Sequence, residues 1–406
     1  MKLTTRDEPV LRYGKSDPSG EQDFSIKATA KTFEVLSSKL YKDKIAAIVR
    51  EISCNAYDAH VAAGCTDKPF KIQLPSAMDP NFVVRDYGKG LTDHQIRTVF
   101  TSFFESTKDG SDEFIGALGL GSKSPFSLVD AFPINSYQNG KCHSYLCFKE
   151  NGLPRIKPTA VSDTDEPDGL EVIVPVQRQD FSAFSEKAAE IYRWFKVKPD
   201  GVAQIRQHKP LHSRKGEDGS VLWELTEGYQ PLCIMGQVAY PLAMDVFQHE
   251  LCSGSYHSRI RGMVLYFDIG ELDIQAGREE LSYDKATVEN ITKRLDSILE
   301  DIQQHHTDYY SDCKTLLDAC IKYHRTSMDR TKPESLAHQF FCSIIPPKHN
   351  GVDITRGIEG IFRAKGAYVA DMDTRTDRYN RGPDKKPPVF LLVDSGTMIN
   401  ERISAP

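Results

Sequence analysis

The chain of 406 residues has no long apolar run. A membrane-spanning helix needs about 18 apolar residues in succession. The least polar candidate, residues 229–247, is interrupted by two prolines, two glutamines and an aspartate. Charged residues also stand near the start of the chain, where a secretory signal would need an apolar stretch. We therefore expect no membrane span, no signal peptide and a cytoplasmic location.

Paired cysteines are absent as well. The nine cysteines are scattered singly, and none belongs to a C-x-x-C pair, which is the usual spacing of cysteine ligands in structural zinc sites. Single cysteines in odd number are typical of a reducing compartment. The pattern predicts a reducing cytosol and no structural zinc site.

A surplus of basic charge is missing too. The sequence has 51 Lys and Arg against 57 Asp and Glu, which gives a formal net charge of −6. Such a chain has no overall positive field to attract nucleic acid non-specifically. A local basic groove is still compatible with these counts.

The composition is otherwise that of a folded protein with more than one domain. Hydrophobic residues make up 39% and charged residues 27%, as in soluble globular proteins. The length exceeds the usual size of a single hydrophobic core. We predict a first domain over 1–180, a second over 181–325 and a partly irregular C-terminal region over 326–406.

Hydrophobic periodicity gives the order of the elements. Apolar residues at helical spacing predict helices over 42–63, 181–195 and 285–305. Strand-like runs lie at 70–74, 82–85, 131–137, 143–148, 170–176, 221–224 and 263–269. Pro, Asp and Thr residues over 154–169 predict a solvent loop. The mixture predicts an α+β fold whose first domain is an α/β sandwich.

The first predicted helix carries three polar residues on one face. Glu51, Asn55 and Asp58 stand at positions i, i+4 and i+7, so their side chains share a face. A solvated helix face gives the same pattern. An amide one turn from a carboxylate can also hold a divalent cation while the carboxylate deprotonates a water.

A second polar element follows a predicted strand. Asp86 ends an apolar run and is followed by Gly88 and Gly90, which is also the pattern of a simple turn. An ionised carboxylate only accepts hydrogen bonds, which suits the exocyclic amino group of adenine. Glycines would let a base lie against the backbone.

A third element is rich in glycine. Gly116, Gly119 and Gly121 can turn several backbone N–H groups toward one point, as phosphate-binding segments do. Possible side-chain donors flank them at Ser106, Lys108, Ser122 and Lys123.

Two common nucleotide-binding motifs do not fit this segment. In a P-loop, Ser122 would occupy the lysine position, with Lys123 one residue late and Pro125 disturbing the helix that must follow. A Rossmann fingerprint fails because no glycine stands three residues after Gly121.

Taken together, the three elements resemble the gyrase/chaperone/histidine-kinase/MutL (GHKL) ATPases over roughly residues 25–180. The matching boxes are E-x-x-x-N-x-x-D-A from Glu51, D-x-G-x-G from Asp86 and G-x-x-G-x-G from Gly116. The resemblance implies a Bergerat-type ATP pocket with a four- to five-strand sheet and helices on one face. The family's last box is represented by Gly169, followed by Leu170 where the family has Thr.

The resemblance also implies roles for these residues. Glu51 would be the general base, Asn55 would hold Mg²⁺, and Asp86 with a water would bind adenine. The remaining matched positions would line the ATP site or its mobile lid, namely Asp58, Gly88, Gly90, Ser106, Lys108, Gly116, Gly119, Gly121, Ser122, Lys123 and Gly169.

A basic residue outside the first domain extends the resemblance. Arg278 lies in a segment similar to the loop by which the second, ribosomal-protein-like transducer domain of GHKL proteins reaches the γ-phosphate. The resemblance implies a catalytic role for Arg278. An arginine in solvent beside two glutamates gives the same local sequence.

The lid sequence and the chain order are most similar to the phage RIIA family of rapid-lysis inhibitors. That resemblance implies a slow Mg-dependent ATPase in the host cytoplasm, an ATP-dependent homodimer and a host or phage protein client. No histidine-kinase phosphoacceptor pattern flanks the predicted pocket, which argues against a signalling kinase. The alternative is a nucleotide-gated binding protein of the MORC, chaperone or MutL type, which acts on DNA or a protein client with little turnover.

Overall fold

The computed structural model describes residues 30–34, 40–101, 121–202, 205, 208–227, 230–252, 261–355, 368–369 and 392–393. Seven helices lie within these ranges and are numbered α1 to α7. They are Ala30–Glu34, Lys44–Ala63, Asp93–Thr101, Phe181–Tyr192, Lys285–Tyr309, Leu316–Met328 and Pro333–Ile344. Among the described residues, no helix combines the length and the apolar composition needed to cross a bilayer.

Six strands form the first sheet. They are β1 to β6, at Lys71–Gln73, Asn81–Arg85, Ala131–Gln138, Lys141–Glu150, Leu153–Asp163 and Gly169–Pro175. Their order is β1-β2-β6-β3-β4-β5, and every neighbouring pair is antiparallel. β6 therefore lies between β2 and β3, which brings the residues that follow β2 next to the start of β6.

Five further strands form a second sheet. They are β7 to β11, at His212–Lys215, Val221–Leu225, Leu232–Met235, Val238–Pro241 and Met263–Phe267. The order is β10-β9-β11-β8-β7, with β9 and β11 parallel and the other pairs antiparallel. The remaining strands form short two-stranded pairs, β12–β13 at Asp273–Ile274 and Leu281–Ser282, β14–β15 at Lys348–His349 and Val352–Asp353, and β16–β17 at Tyr368–Val369 and Leu392–Val393. The predicted α+β class is confirmed.

Helix α2 is the buried centre of the first region, by which we mean the part of the chain that carries the first sheet. Its apolar face contributes Ile48, Val49 and Ile52 to a core that the strands of the first sheet share, as its periodicity predicts. The side chain of Asp43 caps the first turn by accepting the N–H of Ala46. The helix ends at Gly64, whose φ of +71° is readily adopted by glycine.

Helix α4 covers the same face of the first sheet. Phe184 of α4 packs on Phe82 of β2 with 5.1 Å between ring centroids, and Tyr192 is hydrogen-bonded to Ser53 of α2 at 2.8 Å. The chain beyond α4 stays with this sheet. The carbonyl oxygen of Asp200 accepts the N–H of Ile72 in β1, and the N–H of Asp200 donates to the carbonyl oxygen of Phe70. The residues just after position 180 are thus packed on the first sheet.

Two expectations were wrong. Residues 153–163 are the strand β5 rather than a solvent loop. Pro154 and Pro158 obscure it in the sequence, yet an edge strand tolerates proline because one side of its backbone needs no partner. The sheet consequently has six strands instead of four or five.

The C-terminal region, which we predict to be partly irregular, contains α7, a regular helix. Its buried positions include His338 and Cys342 beside Phe341, so the apolar stripe is interrupted by a polar residue. Pro333 begins the helix, which suits the first helical turn. A helix with a mixed buried face lacks the periodicity that marks α2.

His60 fixes the end of α2 against the loop after β2. Its Nε2 accepts the N–H of Tyr87 at 2.8 Å, so the neutral ring carries its proton on Nδ1, which donates to the carbonyl oxygen of Lys68 at 3.0 Å. Burial lowers the pKa of His60, and the Lys68 carbonyl opposes that effect. A protonated ring would direct a second N–H at the Tyr87 donor.

We therefore expect His60 to make folding sensitive to acid. Because its folded-state pKa lies below the unfolded value of about 6.5, the stability is complete above that pH and is lost as pH falls toward the folded-state pKa, at up to about 1.4 kcal/mol per pH unit. In His60→Gln, an amide can make both hydrogen bonds without titrating. The urea midpoint of this variant should depend less on pH between about 6.5 and 5 than that of wild type. Equal pH dependence would show that His60 does not titrate on unfolding.

Candidate functional site

The three polar residues of α2 do not lie on a solvated face. Glu51 and Asp58 are buried, at 1% and 0% exposure, and Asn55 is half-buried. Burying ionisable groups costs free energy unless they are paired. The polar face of α2 is therefore an interior site.

Glu51 lies between two arginines. Its Oε1 is 3.2 Å from Nε of Arg50, and its Oε2 is 2.9 Å from Nη1 of Arg278, with all three side chains buried. Burial lowers the pKa of Arg278, but Glu51 and the other acidic groups around it together outweigh burial and hold that pKa above its ordinary value. Both carboxylate oxygens are thus engaged by cations.

Arg278 reaches Glu51 from the tip of the β12–β13 hairpin. Its backbone is in the left-handed region, with φ of +54°, which costs a residue with a side chain about 1–2 kcal/mol. Its N–H closes a turn on the carbonyl of Gln275 at 2.8 Å. Nη2 of Arg50 donates to the carbonyl of Gly277 at 3.0 Å. The hairpin tip is therefore held in an unfavourable backbone conformation by contacts with α2.

The same hairpin tip binds the start of α2. The two carboxylate oxygens of Glu279 accept the backbone N–H groups of Lys42 and Asp43, each at 2.9 Å. The neighbouring Glu280 forms an ion pair with the Lys42 side chain. Two successive glutamates thus anchor the loop at the helix N-terminus, where negative charge is favoured.

Gly121, which ends the glycine-rich segment, lies against the polar face of α2. A Cβ atom at Gly121 would stand 2.7 Å from Oε2 of Glu51 and 3.6 Å from Nδ2 of Asn55. Only glycine lets the chain approach the carboxylate this closely. The structure therefore brings the end of the third element onto the first.

Of the residues around Gly121, the structure describes those that follow it. Ser122 is half-buried and begins, with Gly121, a 3-10 helix that runs to Ser127. Lys123 is buried, and its charge lowers the pKa of the Cys147 thiol, which burial raises to about 12. Four predicted site residues lie outside the described residues, namely Ser106, Lys108, Gly116 and Gly119.

Asp86 is held where β2 meets β6. Its Oδ1 accepts the N–H of Gly88 at 2.8 Å and the N–H of Leu170 at 3.2 Å. Its own N–H donates to the carbonyl of Leu170 at 2.9 Å. Leu170, which replaces the family's threonine, thus contacts Asp86 through its backbone, and the lost hydroxyl is not needed to orient the carboxylate.

Glycines pack this loop tightly on its neighbours. A Cβ atom at Gly88 would lie 3.0 Å from both Cβ and the carbonyl oxygen of Ala59 on α2. At Gly169, with φ of +142°, it would lie 2.1 Å from the carbonyl oxygen of Asp86. At Gly90, with φ of +66°, it would lie 2.3 Å from the carbonyl oxygen of Tyr137. The three glycines let the Asp86 loop approach α2 on one side and β3 and β6 on the others.

Two arginines of the site were missed by sequence reasoning. Arg50 precedes Glu51 directly and reads as an ordinary helix cation until its burial is known. Arg85 is buried beside Asp86, lies 4.1 Å from the centre of the Tyr137 ring and donates to the carbonyl oxygens of Asp86 and Pro167. A charged residue at the end of an apolar strand is the only signal in the sequence for such a role.

The arrangement has two chemical ends along one helix. Near Ala59, the carboxylate of Asp86 can accept a hydrogen bond from a ligand amino group. Near Gly121, Asn55 offers an amide oxygen and Glu51 a carboxylate, which suit a divalent cation and a water. An elongated ligand with a base at one end and phosphates at the other fits this order.

Removing the charge of Arg278 should cost stability. Arg278→Met leaves Glu51 with Arg50 alone, and breaking a buried ion pair costs on the order of 3 kcal/mol. Glu51→Gln leaves two arginines beside an uncharged amide, so we expect a larger loss, about 3–5 kcal/mol. The measurement is the urea midpoint of each variant and of the double variant, whose loss should be smaller than the sum of the two.

Lys141→Met is the matched control for that experiment. Lys141 forms an ion pair with Asp163 at 3.3 Å, but both side chains are exposed, and surface pairs contribute little. The control should unfold as wild type does. An Arg278→Met midpoint equally close to wild type would contradict the importance of the buried pair.

Comparison with known proteins gives no family assignment. No protein-family model matches the sequence, and no curated protein matches it. Among solved structures, the chain is similar to the ATPase region of Saccharomyces cerevisiae topoisomerase II bound to dexrazoxane, with 63% of this chain and 85% of that chain covered, 11% identity and a TM-score of 0.42. A likeness of this size decides neither fold family nor activity, so the geometry of the site has to carry the functional inference.

Proposed function

We propose that the chain binds MgATP in a GHKL-type pocket along α2 and hydrolyses it slowly. The observation that carries the proposal is that α2 carries the first predicted element and contacts the other two. Gly121 abuts Glu51 and Asn55, and Gly88 of the Asp86 loop abuts Ala59 two turns farther along. Three separate sequence motifs that converge on one helix favour a common ligand over three unrelated turns.

The adenine end would be the carboxylate of Asp86. Oδ1 is oriented by two backbone N–H groups, so the carboxylate is fixed before a ligand arrives. Preorganised acceptors bind without paying for side-chain ordering. Oδ2 would accept the amino group of adenine, and Gly88 and Gly90 would leave room for the base.

The phosphate end would lie between Asn55 and Gly121. Asn55 would bind Mg²⁺ through its amide oxygen, and Mg²⁺ when bound would neutralise phosphate charge. The backbone N–H groups of the glycine-rich segment would contact the phosphates. Gly121, Ser122 and Lys123 are the described members of that segment. Asp58 would support the ligand-binding face of α2 from the interior.

Hydrolysis would use Glu51 as the base. Its carboxylate would take a proton from a water while the water oxygen attacks the γ-phosphorus and ADP leaves. Both oxygens of Glu51 are engaged by arginines, so one ion pair has to open first. The Arg278 side chain would leave Glu51 and pair with the γ-phosphate, which would free the carboxylate. The part of the chain that carries the second sheet and the β12–β13 hairpin would then change position with ATP but not with ADP.

A second candidate is a nucleotide-gated binding protein with little turnover. The observation that favours it is the same two ion pairs, because both carboxylate oxygens of Glu51 are occupied by arginines and neither is free to take a proton from a water. In either case the client is unassigned by the site. The RIIA-like role in lysis inhibition, the ATP-dependent homodimer and any contact with DNA follow from the family resemblance alone and stay predictions.

Asp86→Asn tests nucleotide binding. Asparagine keeps an oxygen for the N–H groups of Gly88 and Leu170, but it replaces the second acceptor with a donor that faces the adenine amino group. We expect a loss of about 1.5–3 kcal/mol in binding, which is roughly ten- to hundred-fold in affinity. Calorimetry with MgATP measures it, and Asp79→Asn, on the exposed turn before β2, is the control. Wild-type affinity in Asp86→Asn would refute the adenine assignment.

Glu51→Gln tests the chemistry separately from binding. The change preserves shape but removes the base, so turnover should fall by about two to four orders of magnitude while MgATP still binds. Steady-state phosphate release is the readout, under conditions where calorimetry shows the variant binding nucleotide. The exposed Glu186→Gln on α4 is the control. Undiminished turnover would assign the base to another residue, whereas binding without turnover in wild type would favour the second candidate.

A further inference from the structure

A group of buried histidines and a cysteine lies outside the α2 site, where α5 packs on α7. His306 of α5 and His338 and Cys342 of α7 are all buried. One nitrogen from each histidine and the sulfur of Cys342 lie within 4.8 Å of one another. Nothing in the proposed ATP chemistry uses these residues.

His306 presents a buried lone pair without a partner. Its Nε2 is 2.8 Å from the carbonyl oxygen of Ile345 and therefore carries the proton. Nδ1 of the neutral ring is then an acceptor, and it is buried with no hydrogen-bond partner among the described residues. The side chain is 7% exposed. A buried polar atom left without a partner costs about 1–3 kcal/mol, so this nitrogen is a candidate ligand atom.

His338 and Cys342 stand one helical turn apart on α7. Sγ of Cys342 is 3.4 Å from Nε2 of His338, so both can face one point. The other nitrogen of His338, Nδ1, lies 3.2 Å from Nε2 of His305. Metal-binding histidines commonly have such an outer partner, which fixes the ring and its tautomer. The carbonyl oxygen of Ile345 is the corresponding outer partner of His306.

We propose that His306 Nδ1, His338 Nε2 and Cys342 Sγ bind one Zn²⁺ ion. Two imidazoles and a thiolate are the ligand set that zinc prefers over magnesium or calcium. Three atoms at most 4.8 Å apart lie within roughly 2.8 Å of a common centre, and zinc bonds of about 2.0–2.3 Å require each to move by less than about 1 Å. The hydroxyl oxygen of Tyr310 also lies beside these atoms, 2.9 Å from Nε2 of His338.

The ion would join the two helices across the C-terminal core. His306 lies near the end of α5, His338 lies at the middle of α7 and Cys342 lies near its end. Phe341, between the two α7 ligands, packs on Trp223 of the second sheet with 6.1 Å between ring centroids. Zinc would therefore fix α7 against the second sheet as well as against α5. The scattered cysteines predicted no such site, because only one of its ligands is a cysteine.

Cobalt binding tests the ligand set in the full-length chain. Metal-free protein titrated with Co²⁺ should bind one ion per chain and develop a thiolate-to-cobalt charge-transfer band that Zn²⁺ abolishes. Cys342→Ser should lose that band and weaken Co²⁺ binding at least about tenfold. Cys320→Ser, a change at another buried cysteine of the C-terminal helices, should retain both. Absence of the band in wild type, or its persistence in Cys342→Ser, would overturn the site.

A second readout does not depend on the cysteine variant. Zn²⁺ that binds only the folded chain raises its thermal midpoint, so the metal-free wild type should gain stability on Zn²⁺ addition. His306→Gln should lose that gain, and Cys320→Ser should keep it. A wild-type midpoint indifferent to Zn²⁺ would leave the histidines as a hydrogen-bonded network and overturn the proposal. Neither readout involves nucleotide.

Discussion

The ion pairs of Glu51 connect the two halves of the described structure. A carboxylate at 1% exposure would be costly without its two arginines. One of them, Arg50, comes from the same helix, and the other, Arg278, comes from a hairpin more than two hundred residues away in the sequence. It follows that three features depend on one another: the position of that hairpin, the approach of Gly121 and the ion pairs of Glu51.

The contacts around Glu51 also give a physical reason for a switch. Arg278 occupies a left-handed backbone conformation, and such local strain persists only where surrounding contacts enforce it. Those contacts include the Glu51 ion pair, the Arg50 hydrogen bond to Gly277 and the Glu279 hydrogen bonds to the start of α2. A ligand that competes for the Arg278 guanidinium would weaken one of these constraints. The hairpin would then be free to relax, which would link chemistry at α2 to the region that carries the hairpin.

Much of the first region could be predicted because its signals are local. Apolar periodicity marks α2, and the glycines after Asp86 mark places where a Cβ atom would collide with a neighbour. The polar face of α2 could be named but not shown to be buried, since a solvated face has the same spacing. β5 was missed because its prolines hide an edge strand. α7 was missed because its buried face mixes polar and apolar residues. The His306 cluster was missed because its ligands come from helices about thirty residues apart, and the sequence gives no sign that these helices pack together.

The central claim is that ATP binds along α2 and takes Arg278 from Glu51. A crystal structure of the chain with Mg²⁺ and a non-hydrolysable ATP analogue tests it most directly. The account predicts adenine on Asp86, Mg²⁺ on Asn55 and the γ-phosphate in contact with Arg278, whose Nη1 has left its position 2.9 Å from Oε2 of Glu51. Nucleotide bound along α2 with the Arg278–Glu51 pair intact would contradict the switch. Nucleotide bound elsewhere would contradict the pocket itself.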